Sequence, residues 1–239
     1  MKKLISALFA LCMVFSLQAQ NLEEILENHF DVVGQEKLAT INTIKMVGNV
    51  VQGGMELPFT MYMSRPLKIK MEISIQGQQM IQAFDGESGW YISPMAGTLE
   101  PQDMGPDMIK EMKEQADFDG DLYNYEEKGS SLEFLGTEEA EGTEVFKLKL
   151  TKENGDVSNY FIDTETYIIL KSTAKRLIQG VEIESETILG NYQMIDGMAF
   201  PFSISTGMNG QVGAEIVITE VVFGVEMGDD FFAKPKPQE

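Results

Sequence analysis

The sequence predicts a mainly β domain of the α+β class: an antiparallel sheet that curls toward a barrel or splits into a sandwich, with two short helices. Three observations predict it. From Ile44 onward apolar residues recur at every second position over most of the chain. Tight-turn dipeptides separate these runs, and only two segments carry the three-to-four-residue spacing of an amphipathic helix.

The N-terminus, MKKLISALFALCMVFSLQAQ, places Lys2 and Lys3 before an apolar run from Leu4 to Leu17, with the small residue Ala19 after it. This pattern predicts a secretory signal peptide over residues 1–19, followed by one domain over residues 20–239. Cys12 lies in the middle of the run, after Leu11, and not at its end where a lipid-anchoring cysteine belongs. Loss of the signal leaves a chain without cysteine, so disulfides, thiol catalysis and thiolate metal sites are excluded together.

Asn21 can cap a helix whose apolar face is Leu22, Ile25, Leu26 and Val33. His29, the only histidine, falls on or beside that stripe and reads as a packed side chain, since no Ser-His-Asp arrangement can be anchored on it. The first strands follow. Phe59, Met61 and Met63 alternate with polar neighbours, and Leu67, Ile69, Met71, Ile73 and Ile75 alternate with Lys68, Lys70, Glu72 and Ser74. Phe146, Leu148 and Leu150 do the same around Lys147 and Lys149. Such strands have one buried and one wet face.

Gly53-Gly54, Gln76-Gly77, Asn154-Gly155, Asp196-Gly197 and Asn209-Gly210 supply the hairpin turns. About eleven strands result, a number that makes a continuous twisted sheet curl or divide. A loop follows Pro94. Pro106 then starts the second helix, in which Met108, Ile109, Met112 and Ala116 form a narrow apolar stripe. Lying between two blocks of strands, it either covers an open end of the sheet or packs on one face.

The formal net charge of −20 repels phosphate backbones and anionic headgroups, which excludes nonspecific nucleic-acid binding. The acidic run DFDGDLYNYEE from Asp117 fails as a calcium loop: Leu122 stands where an EF-hand needs glycine and Lys128 where it needs glutamate. It reads as a solvated acidic loop. Glycine-rich phosphate loops and zinc motifs are absent, so neither a metal nor a cofactor is expected and nothing marks an enzyme. The chain is rich in methionine, 16 in all, and this flexible, polarizable side chain suits either ordinary core filling or a cavity for varied apolar ligands.

The stretch from Ser64 to Pro94 carries Arg65-Pro66, an alternating strand, Asp85-Gly86, Trp90 and Pro94 in that order. Further on stand FIDTETYIILK (Phe161 to Lys171), DGMAFPFSIS, ITEVVFG and DDFFAKP. In these motifs the chain resembles the outer-membrane lipoprotein-sorting family, which includes the periplasmic lipoprotein carriers of the Lol type. The resemblance implies an incomplete antiparallel β-barrel whose mouth is covered by helices, with the Met108 to Met112 helix as a short lid. It also implies a periplasmic location and an apolar cavity for lipoprotein acyl chains or another lipid. Inner- and outer-membrane transport partners come with that role.

Candidates to line the cavity are Met61, Met63, Ile69, Met71, Ile73, Met80, Trp90, Met108 and Met112. Arg65 matches the arginine that hydrogen-bonds to the family's lid and biases it closed. Asp85, Gly86 and Trp90 read as residues that fix a turn and pack the sheet. A non-enzymatic lipid-sensing or protein-binding module of the same fold is the alternative.

Overall fold

The computed structural model describes residues 21–140, 142–178 and 181–236. The predicted signal peptide lies outside the described residues. Helix α1 (residues 21–33) is followed by α2 (Gln35–Thr40), and α3 (Pro106–Gln115) lies between two blocks of strands. The strands are β1 (Thr43–Gln52), β2 (Met55–Ser64), β3 (Lys68–Ile75), β4 (Gln78–Phe84), β5 (Gly89–Ser93) and β6 (Thr98–Asp103) before α3. After it come β7 (Ser131–Ala140), β8 (Thr143–Thr151), β9 (Val157–Asp163), β10 (Ile169–Ile178), β11 (Val181–Ile195), β12 (Met198–Met208) and β13 (Gln211–Phe223).

All thirteen strands belong to one sheet, in the order β6-β5-β4-β3-β2-β1-β13-β12-β11-β10-β9-β8-β7. Each pairing is antiparallel, and the sheet is open, with β6 and β7 as its edges. The count exceeds the predicted eleven. One reason is β6, sequence TLEPQD, which lacks alternation, carries Pro101 and was expected as loop. An edge strand tolerates proline and a polar sequence, because one side of its backbone faces no partner.

Several of the predicted turns close hairpins with two consecutive left-handed residues. Asn209 (φ 49°) and Gly210 (φ 75°) join β12 to β13, the geometry that matches strand twist. Gly48 serves a different end. A Cβ there would stand 2.1 Å from the Val217 carbonyl oxygen, where β1 and β13 shift register. Only glycine allows that approach.

The helical prediction at the N-terminus divides in two. Gly34, at φ 66°, breaks the run after residue 33 and restarts it as α2. One face of the sheet, the inner face, takes all three helices of the described residues. Ile25 and Leu26 of α1 pack on Leu148, Leu150 and Ile162, while Met112 and Ala116 of α3 pack with Ile44, Met63, Ile69 and Phe84. Ile44, Ile69, Leu148 and Ile162 are fully buried, each contributing about 1.5–3 kcal/mol of hydrophobic stabilisation.

Candidate functional site: the inner face and its helical cover

Directly opposed residues in neighbouring strands share a face, so register traces the inner wall across the sheet. Met71, Met61, Met46 and Val221 are opposed in turn through β3, β2, β1 and β13. One turn of pleat away, Leu57, Val50, Ile216, Ile204 and Leu189 extend the same wall from β2 to β11. The wall has two parts. Beneath α3, Met63, Ile69, Phe84 and Met112 form a filled core with Ile44 and Leu38. Beyond it, Phe59, Ile73, Phe202 and Ile218 are overlaid by half-buried Met61, Met71, Met80, Ile75, Ile204 and Ile216, a cluster to which no helix contributes among the described residues.

Arg65 ties the helical cover to the sheet. It follows β2 directly, and its Nε donates to the Ile41 carbonyl at 2.8 Å while Nη2 donates to the Leu38 carbonyl at 3.1 Å. These carbonyls belong to the C-terminal end of α2, where intrahelical partners run out. Its fork also grips Asp119, with Nη2 to Oδ1 at 2.7 Å and Nη1 to Oδ2. The guanidinium carbon lies 4.4 Å from the centre of the Phe118 ring. Hydrogen bonding to Asp119 raises the Arg65 pKa further, so the cation is permanent.

The segment expected to be a solvated acidic loop is instead a tethered one. Asp119 holds Arg65 and accepts from Gln35 Nε2 at 3.2 Å. Asp117 pairs with Lys128 at 2.6 Å, and Asp121 pairs with Lys152 at 3.0 Å while accepting from the Tyr160 hydroxyl at 3.1 Å. The carboxylates that invite a calcium reading are thus spent on cations. Among the described residues no group of three or more His, Cys, Asp or Glu side chains is arranged to hold a metal.

A cavity of about 880 Å³ lies between α1, α3, this loop and the inner wall near β9 to β12. Phe30, Met108, Leu122, Tyr160, Ile169, Ile183 and Met208 supply its apolar lining; Asp107, Lys110, Glu111, Asp121 and Lys152 are among its charged residues. His29 also lines it, and its Nδ1 meets the Tyr167 carbonyl at 2.8 Å. Burial lowers the His29 pKa, a tendency that this hydrogen bond only partly opposes, so the ring is neutral near pH 7.

No protein-family model matches the sequence, and no curated protein matches it. Solved structures do match the fold. A DUF1329 family protein from Desulfovibrio piger superposes with a TM-score of 0.57 at 14% identity, over 87% of this chain and 96% of that one. An outer membrane lipoprotein-sorting protein domain from Vibrio parahaemolyticus gives 0.55 at 13% identity, over 84% and 95%. A LolA superfamily protein from Nitrosomonas europaea gives 0.57 at 11%, over 89% and 97%. This chain shares their fold.

Within that fold the predicted cavity residues separate into groups. Met61, Met63, Ile69, Met71, Ile73 and Met80 do share the inner face. Met63 and Ile69 pack against Met112 of α3, Met61 borders both parts of the wall, Met71, Ile73 and Met80 lie where no helix contributes among the described residues, and Met108 reaches the cavity. Trp90 stands apart. It is opposed to Ala83, which is opposed to Lys70, and this row belongs to the outer face. There its Nε1 donates to the Phe232 carbonyl at 2.9 Å, and Phe231 packs edge-on against Tyr62 at 4.8 Å.

Asp85 fixes the turn before Trp90. Its Oδ1 accepts from the backbone N–H of Glu87 at 2.9 Å and of Ser88 at 2.8 Å, beside Gly86 at φ 103°. Burial pushes the Asp85 pKa up, but these hydrogen bonds prevail and hold it below its ordinary value. Sequence reasoning missed Asp119, Phe118 and Gln35. The one available signal was the density of acidic residues in the loop, which says nothing of the partner each finds.

Proposed function

We propose that the chain is a periplasmic carrier that binds lipoprotein acyl chains or another lipid against its inner apolar wall and moves them toward the outer membrane. The observation that carries this reading is the band of Met71, Met80, Ile204 and Ile216, to which no helix contributes among the described residues and which is continuous through Met61 with a core that α3 covers. Apolar surface of this kind, left open beside a helical cover, marks a ligand-binding surface. Its methionines adapt to chains of differing length and branching.

The mechanism is noncovalent and turns on the cover. In the closed form Arg65 holds α2 and the Asp119 loop to the end of β2. Opening breaks those bonds at a net cost of about 3 kcal/mol. Burial of an acyl chain contributes about 0.8 kcal/mol per methylene, so roughly four methylenes entering the wall offset it. A full acyl chain therefore drives opening with energy to spare, and loss of the cargo to an acceptor lets the lock reform. Loading and delivery fall to inner- and outer-membrane partners.

The test is native mass spectrometry of the protein released from a Gram-negative envelope without detergent. A population heavier by the mass of an extractable lipid or a lipoprotein is expected. Protein that is uniformly empty and gains no mass with added acyl probes would refute carriage, and a stoichiometric protein adduct without lipid would favour a protein-binding module.

A further inference from the structure

The cavity beneath α3 differs in character from the methionine wall. Two polar side chains buried beyond nine-tenths stand in its lining, His29 at 5% and Gln35 at 3% exposure. Each commits one atom to the protein: His29 Nδ1 to the Tyr167 carbonyl at 2.8 Å, and Gln35 Nε2 to Asp119 at 3.2 Å. A carbonyl only accepts, so Nδ1 carries the proton and Nε2 is left as an acceptor. Neither His29 Nε2 nor Gln35 Oε1 has a hydrogen-bond partner among the described residues. Among the described residues no fully buried side-chain nitrogen or oxygen lacks a partner, so both atoms open onto the cavity.

Charge on the same cavity has one sign to spare. Lys110 and Lys152 are engaged by Asp156 at 3.2 Å and Asp121 at 3.0 Å. Asp107 and Glu111, one turn apart on α3, face the cavity and pair with no cation among the described residues. The lining thus combines acceptors and negative charge with the apolar side chains of Phe30, Leu122, Ile169 and Met208. Its volume of about 880 Å³ is that of a small-ligand site.

Resting on the carrier reading, we propose that this cavity selects an amphiphile with a primary ammonium head, whose three donors meet His29 Nε2, Gln35 Oε1 and the Asp107–Glu111 edge of α3. The tail lies against the apolar lining residues and runs toward the inner wall. An anionic head meets lysines already paired with Asp156 and Asp121 and is disfavoured by the surplus carboxylates.

Isothermal titration of the purified protein with four compounds below their micellar concentrations tests this: dodecylammonium, dodecyl sulfate, dodecyl maltoside and butylammonium. Dodecylammonium is expected to bind about tenfold more tightly than either other dodecyl compound, with butylammonium far weaker, the margin narrowing as salt screens the charge. The double variant Asp107→Asn, Glu111→Gln should weaken dodecylammonium about fivefold and leave dodecyl maltoside unchanged. His29→Phe should do the same; because that site is buried, the surface pair keeps the test decisive if the His29 variant fails to fold. Glu56→Gln with Glu139→Gln removes equal charge from exposed positions on β2 and β7 outside the lining and should alter neither ligand.

Equal affinity for the three dodecyl heads, or an equal loss in the control charge variant, overturns head selection while leaving the carrier reading intact. Tight butylammonium binding overturns the amphiphile. If no dodecyl compound binds, the carrier reading itself falls.

Discussion

Replacing Asp119 by Asn keeps the shape of the contact with Arg65 and removes its charge. The amide can accept from one guanidinium N–H, but its own NH₂ faces the other, so the bidentate pair is lost. Hydrogen bonds to charged groups contribute about 1.5–3 kcal/mol each, and the pair is only partly screened, with side chains 26% and 12% exposed. A loss of about 2 kcal/mol follows, which at about 1.4 kcal/mol per decade is roughly thirtyfold in the opening equilibrium. Amide hydrogen exchange reads it locally. Exchange at Leu38, Ile41, Ala116 and Gly120, whose N–H groups bond within the cover, should accelerate by about that factor. Amides of β1 and β2 toward their shared hairpin, in the part to which no helix contributes, should not. Uniform acceleration, or none at the cover, would refute Arg65–Asp119 as a lock.

Two further outcomes follow from single side chains. His29 has a folded pKa below its unfolded 6.5, so its burial costs nothing above that pH and stability falls as pH drops through and below it, by at most about 1.4 kcal/mol per pH unit. His29→Gln should therefore show the same stability near pH 7 to 8 but a shallower decline toward pH 5; parallel denaturation curves would contradict this. Trp90→Phe strands the Phe232 carbonyl and should cost about 1–2 kcal/mol by urea denaturation while leaving acyl-probe binding unchanged. Loss of binding at constant stability would instead return Trp90 to the ligand site.

The alternation of Ile69, Met71 and Ile73 with Lys70 and Glu72 was enough to place those residues on one face, because side-chain direction has period two in any strand. The hairpin dipeptides were legible for a similarly local reason, since φ above zero admits few residue types. What covers a face is not local. Met63 and Met71 are diagonal neighbours on one face of the β2–β3 pair, two residues apart in register, yet one is sealed under α3 and the other is only half-buried. Arg65 finds Asp119 across 54 residues of chain, and no periodicity records that. Trp90 shows the same limit: the turn at Asp85 resets the strand's phase, so its face depends on register with Ala83. A polar edge strand such as β6 gives no pattern at all.

The central claim is that acyl chains lie on the inner wall. Titration with a naturally fluorescent polyene fatty acid tests it through a pair of variants. Met71→Asp puts a carboxylate in the half-buried inner band, and Ile188→Asp puts one on the outer face, where Ile188 is 36% exposed and opposed to Lys171. A carboxylate in the path of the chain should weaken binding by more than about tenfold, equivalent to losing about two buried methylenes, whereas the outer one should leave it unchanged. Equal binding by both variants and the parent protein, or no binding by any of them, would contradict the account.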